Sequence, residues 1–391
     1  MKEKHGRRRL KKAAAVLLAI LLLYLCACLC WGPLRYRTFF GAAERIEAYR
    51  GLAEGFVPQG MTQDAESGAY LVCGYMDRDE PSRIYVFAPG GGVTCIHLQN
   101  TDGSPYEGHA GGMTAAGDYV YISNAHKLFT LRKADVLAAK DGDTLAFRAA
   151  VEVPCNASFC AGDDGYVYVG EYHAKGYETD ASHALTYDGE SFAAFVFAYP
   201  VSAAGALADA AAPTHAFVIP DAVQGFALHN GRAFLSRSAG FHPSSLEAYA
   251  AEGDPDGSWS DAAGRELPYY VLGKARLVGA VSAPHMSEDL EMRGGRLLVG
   301  YEAGARKAGL GLLPASLRWF AALEPDALVG PRRFVSDFSL DREAALIYDR
   351  TGRITKEEND LCGSGVVPAA HGGARSATML NFVNQPADGS D

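Results

Sequence analysis

A short pattern that recurs along the chain constrains its fold more than any other feature. In each copy a small or polar residue and an apolar residue precede a two-residue turn, and a run of apolar residues follows it. The turns are Ser67-Gly68, Gly117-Asp118, Asp164-Gly165, Asn230-Gly231 and Gly294-Gly295. Asn, Asp and Gly favour the tight turns of β-hairpins, because they accept a positive φ at low cost. A third apolar run follows each hairpin, so the pattern predicts repeated antiparallel sheets.

The spacing of the copies indicates how these sheets assemble. The apolar residues that precede the turns lie 46 to 67 residues apart, at Met61, Met113, Phe159, Phe226 and Leu290. A four-stranded β-propeller blade needs about 40 to 50 residues, so the longer intervals contain insertions. A βα repeat would need an amphipathic helical pattern of more than about ten residues, and none occurs between residues 56 and 323. We predict an all-β chain in which residues 56–329 form a β-propeller of about five four-stranded blades. The alternative is six blades, one of them degenerate.

The beginning of the chain predicts a membrane anchor. Residues 1–12 carry seven cations and one anion, and the next eighteen residues carry no charge. A helix of that length crosses the hydrocarbon core of a bilayer, which is about 30 Å thick. Trp31 stands where an interfacial aromatic is expected, and Pro33 favours the end of the helix. Because cations stay on the cytoplasmic side, we predict a cytoplasmic stub at residues 1–12, one transmembrane helix at residues 13–31, and an extracytoplasmic domain. The protein is then a single-pass protein of the cell membrane.

Two other interpretations of this segment also place the protein in the cell envelope. A cleaved signal peptide has a similar charged start, but no Ala-x-Ala cleavage pattern follows the apolar run. A lipoprotein would use residues 25–28 as a degenerate lipid-attachment site, with Cys26 or Cys28 acylated.

The remaining segments have less specific patterns. We predict a linker with a possible blade-closing strand at residues 32–55, and a C-terminal extension at residues 330–391 whose end is disordered. With the six excess positive charges of the stub set aside, the rest of the chain carries a formal charge of −16, which disfavours nucleic acid as a partner. Five cysteines lie outside the anchor. One bridge is possible, either Cys155 to Cys160 or Cys73 to Cys95, and otherwise we expect buried free thiols.

Candidate functional residues come from their position in the blades, because the common catalytic motifs are absent. The first strand of each propeller blade lines the central channel. One polar residue precedes or begins this strand in every blade: Gln59, His109, Asn156, Gln224 and Glu288. Glu288 and Asn156 offer oxygen ligands of the kind that bind Ca²⁺, whereas the imidazole of His109 suits a softer divalent metal. The same ring also suits a polar ligand or ordered water.

A second ring of candidates lies where the second strands end. Its members are Tyr75, Tyr172, Arg237, Tyr301 and Glu302. Aromatic and charged side chains around a mouth are typical of sites for polar ligands. Together with Gln59 and Gln224, this ring predicts binding of a polar small molecule, a glycan or an envelope protein. Burial of the Arg237 cation is costly unless Glu288, Glu302 or an anionic ligand meets it.

The repeats over residues 56–323 resemble those of envelope and secreted propellers, which include gluconolactonase-like, strictosidine synthase-like and YVTN-type repeat proteins. For the lactonase-like members the resemblance implies ester or lactone hydrolysis with an axial divalent metal, held by a Glu, Asn residues and an Asp. Glu288 and Asn156 match that set in residue type, while Gln59, Gln224 and His109 stand where further ligands or the base are sought. No Asp matches, because Asp289 is next to Glu288 and is expected to point away from it.

Two functional hypotheses follow. The first is a ligand-binding or protein-interaction module, tethered to the outer face of the membrane. The second is a metal-dependent lactonase-like or esterase-like hydrolase, with Glu288 as a metal ligand and His109 as the general base. The missing second carboxylate favours the first.

Overall fold

The computed structural model describes residues 2–163, 165–207, 212–261, 264–309 and 315–329. The C-terminal extension predicted at residues 330–391 lies outside these ranges, as does the turn residue Asp164. The chain begins with helices α1 (Lys2–Arg35) and α2 (Arg37–Ala42) and strand β1 (Glu44–Ala48). The part Lys11–Arg35 is long and apolar enough to cross a membrane, with a mean hydropathy of 2.8. Its orientation across a membrane stays a prediction. Pro33 does not end the helix, because α1 continues to Arg35.

The first two blades exchange a strand, because the chain returns to the edge of blade one before it completes blade two. Blade one contains β2 (Phe56–Gln63), β3 (Tyr70–Met76), β4 (Arg83–Phe87) and β5 (Val93–Gln99). Blade two begins with β6 (Gly112–Ala116), β7 (Tyr119–Asn124) and β8 (Lys127–Arg132), which helix α3 (Lys133–Ala138) follows. Strand β9 (Thr144–Ala146) then pairs in parallel with β5, and β10 (Ala149–Glu152) completes blade two.

The next two blades also exchange segments. Blade three contains β11 (Phe159–Gly162), β12 (Tyr166–Gly170), β15 (Ala194–Pro200) and β16 (His215–Ile219). A separate hairpin of β13 (Leu185–Tyr187) and β14 (Glu190–Phe192) is inserted between β12 and β15. Blade four contains β17 (Val223–His229), β18 (Arg232–Arg237) and β19 (Ser244–Ala250). The pair β20 (Gly257–Ser260) and β21 (Glu266–Val271) returns to the outer edge of blade three, and β22 (Leu277–Ala283) completes blade four.

Blade five joins the two ends of the described chain. It contains β23 (Ser287–Arg293), β24 (Arg296–Tyr301), β25 (Trp319–Leu323) and, as its outermost strand, β1 from the N-terminal side. The pairing is antiparallel, with Glu44 opposite Ala322 and Ala48 opposite Trp319. Within the described ranges the chain is therefore an all-β propeller of five blades, which confirms the predicted fold.

The inner strands form a closed ring around the propeller axis. Strands β2, β6, β11, β17 and β23 each contact the next, and β23 contacts β2. Every inner strand begins on the same face, which we call the mouth face. The second strands end on this face, and the β2–β3 type of hairpin lies on the opposite face. Two predicted turns show the expected backbone, with positive φ at Asn230, Gly231, Gly294 and Gly295.

Apolar side chains between neighbouring blades form the core. Between blades three and four, for example, the ring of Phe226 lies 5.2 Å from that of Tyr168 and 5.3 Å from that of Phe217. The thiols of Cys73, Cys155 and Cys160 are buried and free, and Cys95 is free as well. Neither of the possible disulfide bridges is therefore formed.

Candidate functional site

A β-bulge at the start of three inner strands determines which side chains reach the axis and which reach the mouth face. The pairing with the second strand shifts between Pro58 and Met61 in β2, between Val223 and Gly225 in β17, and between Ser287 and Leu290 in β23. A bulge places two consecutive residues opposite one and re-aims their side chains. In β23 these two residues are Glu288, which is near Glu302 on the mouth face, and Asp289, which lies on the axis.

Asp289 fills the centre of the ring. Its Oδ2 accepts hydrogen bonds from the backbone N–H groups of Met61, at 3.1 Å, and Met113, at 3.3 Å. The inner strands approach closely at this level, since a Cβ on Gly60 would lie 2.2 Å from the nitrogen of Met113. Asp289 points away from Glu288, as expected, but it lies on the axis, where no aspartate was expected, because the bulge interrupts the alternation of a regular strand.

Two further charged residues of β23 continue the axial column. Glu291 accepts hydrogen bonds from the hydroxyls of Thr62, at 3.0 Å, and Thr114, at 2.6 Å. The Arg293 guanidinium lies 2.5 Å from Glu291 and donates to the carbonyl of Gly162 at 3.2 Å. Asp289, Glu291 and Arg293 alternate along the strand, as residues on one face of a strand do. Sequence reasoning missed this alternation of charges in a buried strand, although it is visible in the sequence.

The candidate site is a polar cluster above this column on the mouth face. We call it the mouth, and its members are Gln59, Tyr75, His109, Tyr172, Glu288, Glu302 and Lys307. Glu288 is 4% exposed, and no hydrogen bond joins its carboxyl group to any described residue. Gln59 is also buried, and its amide nitrogen donates to Glu302 Oε2 at 3.2 Å.

The opposite wall of the mouth combines two rings and a cation. The rings of Tyr75 and His109 stack with centroids 4.3 Å apart. The ammonium group of Lys307 donates to the Tyr75 hydroxyl at 2.6 Å. Lys307 is exposed and follows Glu302 in the segment between β24 and β25. Sequence reasoning did not select it, because a lysine in a long loop gives no signal without the fold.

Burial determines the ionisation of the mouth residues. It raises the pKa of Glu288 well above its ordinary value, the Glu302 and Asp289 carboxylates raise it further, and Lys307 opposes them in part. Burial also raises the pKa of Glu302, against the influence of Lys307 and Gln59. Loss of hydration and the nearby Lys307 cation lower the pKa of His109, although the residue as a whole is exposed. The mouth therefore holds a neutral imidazole and a carboxyl group that resists ionisation.

Tyr172 lies at the border of the mouth, and two other predicted residues lie outside it. Tyr172 is half-buried, and its hydroxyl lies 3.5 Å from the carbonyl of Ser238. Asn156 and Gln224 are half-buried on the same face. The backbone N–H of Asn156 donates to Glu171, a buried carboxylate whose other oxygen lies 2.6 Å from the ring nitrogen of His183.

Two predicted ligand-binding residues have other partners. Arg237 is buried inside blade four, where it donates to the carbonyl of Asp221 at 2.9 Å and to Glu247 at 3.3 Å. Tyr301 is fully buried in the core, with its ring 5.9 Å from that of Phe39. The structure therefore does not bring Arg237 or Tyr301 together with Glu288 and Glu302.

The backbone around the mouth is strained. Non-glycine residues with positive φ stand just before the inner strands of blades two to five: Ala110 (51°), Ala157 (53°), Ala222 (63°) and Met286 (58°). An L-residue in this region costs about 1–2 kcal/mol. Such residues cluster at ligand sites, where the surrounding structure holds them in place.

The lactonase resemblance implies a metal site at the axis. Among the described residues, no three His, Cys, Asp or Glu side chains come together in an arrangement that could hold a metal ion. The cation beside Glu302 is Lys307. A divalent metal at Glu288, Asn156 and His109 therefore stays a prediction.

A second concave region lies away from this chemistry. It is a groove of about 610 Å³ on the opposite face, where Ile46 and Glu47 of β1 face the hairpin between β2 and β3. Its lining contains none of the mouth residues.

The fold and the mouth define the class of this protein, a five-bladed β-propeller with a polar cluster on one face. No protein-family model matches the sequence, and no curated protein matches it either. Among solved structures, the GH43_1 enzyme from Xanthomonas citri complexed with xylose is similar at 12% identity and a TM-score of 0.38, over 82% of this chain and 95% of that one. BamB from Moraxella catarrhalis is similar at 10% identity and a TM-score of 0.30, over 70% and 86%. A nidogen/laminin complex is similar at 9% identity and a TM-score of 0.30, over 62% and 72%. These values identify no specific family and carry no argument about activity.

Proposed function

We propose that the protein is a membrane-anchored, extracytoplasmic binding module whose mouth takes up a small polar ligand with a protonated amine. The observation that supports this most is Glu288, a buried carboxyl group with no hydrogen-bond partner among the described residues. An ammonium group would supply the missing donors and the opposite charge.

The rest of the mouth supports the same ligand class. Glu302 is a second carboxylate beside Glu288, and the rings of Tyr75 and Tyr172 lie close enough to both carboxylates to sense their charge. Aromatic faces and carboxylates together favour cations. Lys307 keeps two donors free beyond its bond to Tyr75, so a zwitterion fits better than a simple amine. An amino sugar of a glycan or a lysine of an envelope protein would present the same amine.

Calorimetry on the full chain in detergent tests this proposal. We expect phosphoethanolamine and ethanolamine to bind, and glucose not to bind. The Glu288→Gln variant should weaken binding by at least about tenfold, or about 1.4 kcal/mol, because the amide cannot take up a negative charge. The matched control is Glu66→Gln, which removes an exposed carboxylate from the opposite face.

Proton release on binding distinguishes the binding of an amine from the binding of any polar compound. Because Glu288 resists ionisation in the free protein, it should release a proton when an ammonium group binds. The heat of binding should therefore depend on the ionisation enthalpy of the buffer. Equal binding of phosphoethanolamine by the parent chain and by Glu288→Gln would contradict the proposal.

A metal-dependent lactonase-like or esterase-like hydrolase is the second candidate. The observation that favours it is the unprotonated imidazole of His109, stacked on Tyr75 at the mouth, because a neutral imidazole can accept a proton. Metal analysis of the purified protein separates the candidates. A stoichiometric divalent ion that is lost in Glu288→Gln supports the hydrolase. A metal-free protein whose melting is unchanged by EDTA opposes it.

A further inference from the structure

The anchor helix joins the propeller without a flexible linker. The helical hydrogen bonds continue past the apolar segment, from Tyr36 N–H to the carbonyl of Gly32 and from Phe40 N–H to that of Tyr36, each at 2.9 Å. Tyr36 is 6% exposed and Phe39 is fully buried in the propeller core. Residues that directly follow Trp31 are therefore already part of the folded domain.

The helix meets the propeller on the mouth face. A Cβ on Gly32 would lie 3.1 Å from the Cβ of Ala315, and Phe39 packs against Tyr301. Tyr301 is the last residue of β24, which ends on the mouth face. Ala315 belongs to the segment between β24 and β25, the same segment that carries Glu302 and Lys307. The anchor and the mouth therefore share one loop.

Exposed aromatic residues lie on this face as well. Outside α1, the large apolar side chains that are exposed among the described residues are Tyr177 (67%), Phe241 (60%) and Tyr187 (37%). Tyr177 and Tyr187 follow β12, and Phe241 follows β18, and both strands end on the mouth face. Aromatic residues are enriched at the interface between a membrane and water.

We infer that the mouth face lies against the membrane that holds α1, with Tyr177 and Phe241 in contact with the lipid headgroups. The inference rests on the membrane anchor of the proposed function, and it does not depend on the ligand. The propeller then presents its opposite face to the surroundings. A ligand reaches the mouth from the membrane surface and not from bulk solvent.

Photo-crosslinking of the full chain in phosphatidylcholine nanodiscs tests this orientation. A benzophenone amino acid replaces Phe241 in one variant, Glu66 in a second and Leu18 in a third. Glu66 is 87% exposed on the opposite face, and Leu18 is 56% exposed on the apolar part of α1. All three side chains are exposed, so none of the replacements disturbs the core.

The expected result is lipid adducts at positions 18 and 241. Position 66 should give at least about tenfold fewer adducts, because a strand of six residues separates the two faces by about 20 Å. Adducts at position 66 equal to those at 241 would overturn the orientation. So would a crosslink from 241 to a second copy of the chain without a lipid adduct. A lack of adducts at position 18 would overturn the anchor itself, and the orientation with it.

Discussion

The buried carboxyl group on the propeller axis predicts an unusual dependence of stability on pH. Asp289 is fully buried, and burial, then the Glu291 carboxylate, raise its pKa well above the ordinary value, although three backbone N–H groups partly oppose this. Replacement of Asp289 by Asn keeps the size of the side chain and one oxygen acceptor for Met61 and Met113. It loses the bond from the N–H of Leu290 to the other oxygen, at 3.1 Å, which costs about 1 kcal/mol.

The sign of the effect follows from the raised pKa. Below about pH 3.9, the ordinary value of an aspartate, the folded and unfolded states both hold the proton, and Asp289 makes its full contribution. As the pH rises, the unfolded state loses the proton while the folded state keeps it. The free energy of unfolding then falls by up to about 1.4 kcal/mol per pH unit, until the pH reaches the folded pKa. We expect Asp289→Asn to be less stable than the parent at pH 4 and more stable at neutral pH.

Urea denaturation of the full chain in detergent between pH 4 and pH 8 measures this difference. Subtraction of the two curves removes the contributions of the groups that do not interact with Asp289. A difference that is constant with pH would refute the reasoning, as would a parent chain that gains stability relative to the variant as the pH rises. The first result would mean that Asp289 ionises as easily in the folded protein as in the unfolded one, and the second that it ionises more easily in the folded protein.

Three further predictions concern other parts of the chain. Burial opposes the ionisation of Asp64, but Lys133, at 2.8 Å, and the groups of Ser67 lower its pKa to about 2. Asp64→Asn should therefore lower the free energy of unfolding by about 2 kcal/mol at neutral pH. Acid titration should show that this cost disappears as the pH falls through 2. Phe39→Ala should lower the free energy of unfolding in urea by about 3–5 kcal/mol, because Phe39 is fully buried. Glu247→Ala should lower the free energy of unfolding, because it removes the carboxylate that lies 3.3 Å from the buried Arg237 guanidinium. A variant in which Leu replaces Glu247 and Met replaces Arg237 should recover most of that loss in urea denaturation, and no recovery would contradict this account.

The hairpins were predictable because their turns depend on local chemistry. Asn230-Gly231 and Gly294-Gly295 adopt positive φ wherever they occur between two apolar runs, so the sequence contains the information that places them. The exchanges between blades were not predictable in this way. Strand β9 pairs with β5 of blade one, and β21 pairs with β16 of blade three, although neither is adjacent to its partner in the chain. Such pairing depends on which edge is exposed after the blades assemble.

The mouth was predictable only in part, for a related reason. The register of the first strands selected Gln59, His109 and Glu288, which the structure places on one face, and their role in binding stays a prediction. Arg237 and Tyr301 occupy similar positions in the sequence, but Glu247 satisfies the first and Phe39 packs on the second. Partners that are distant in sequence decide these cases, and no local pattern identifies them.

The sequence by itself determined the repeated hairpins, the all-β class and an apolar segment near the N-terminus, because turn residues, alternation and hydropathy act over a few neighbouring positions. Only the tertiary structure decided that the bulge in β23 sends Glu288 to the mouth and Asp289 to the axis, and that Lys307 joins them. It also decided that the end of helix α1 packs against the segment that carries Glu302 and Lys307. The physical reason is that each of these outcomes depends on contacts between blades, and those contacts exist only after the ring has closed.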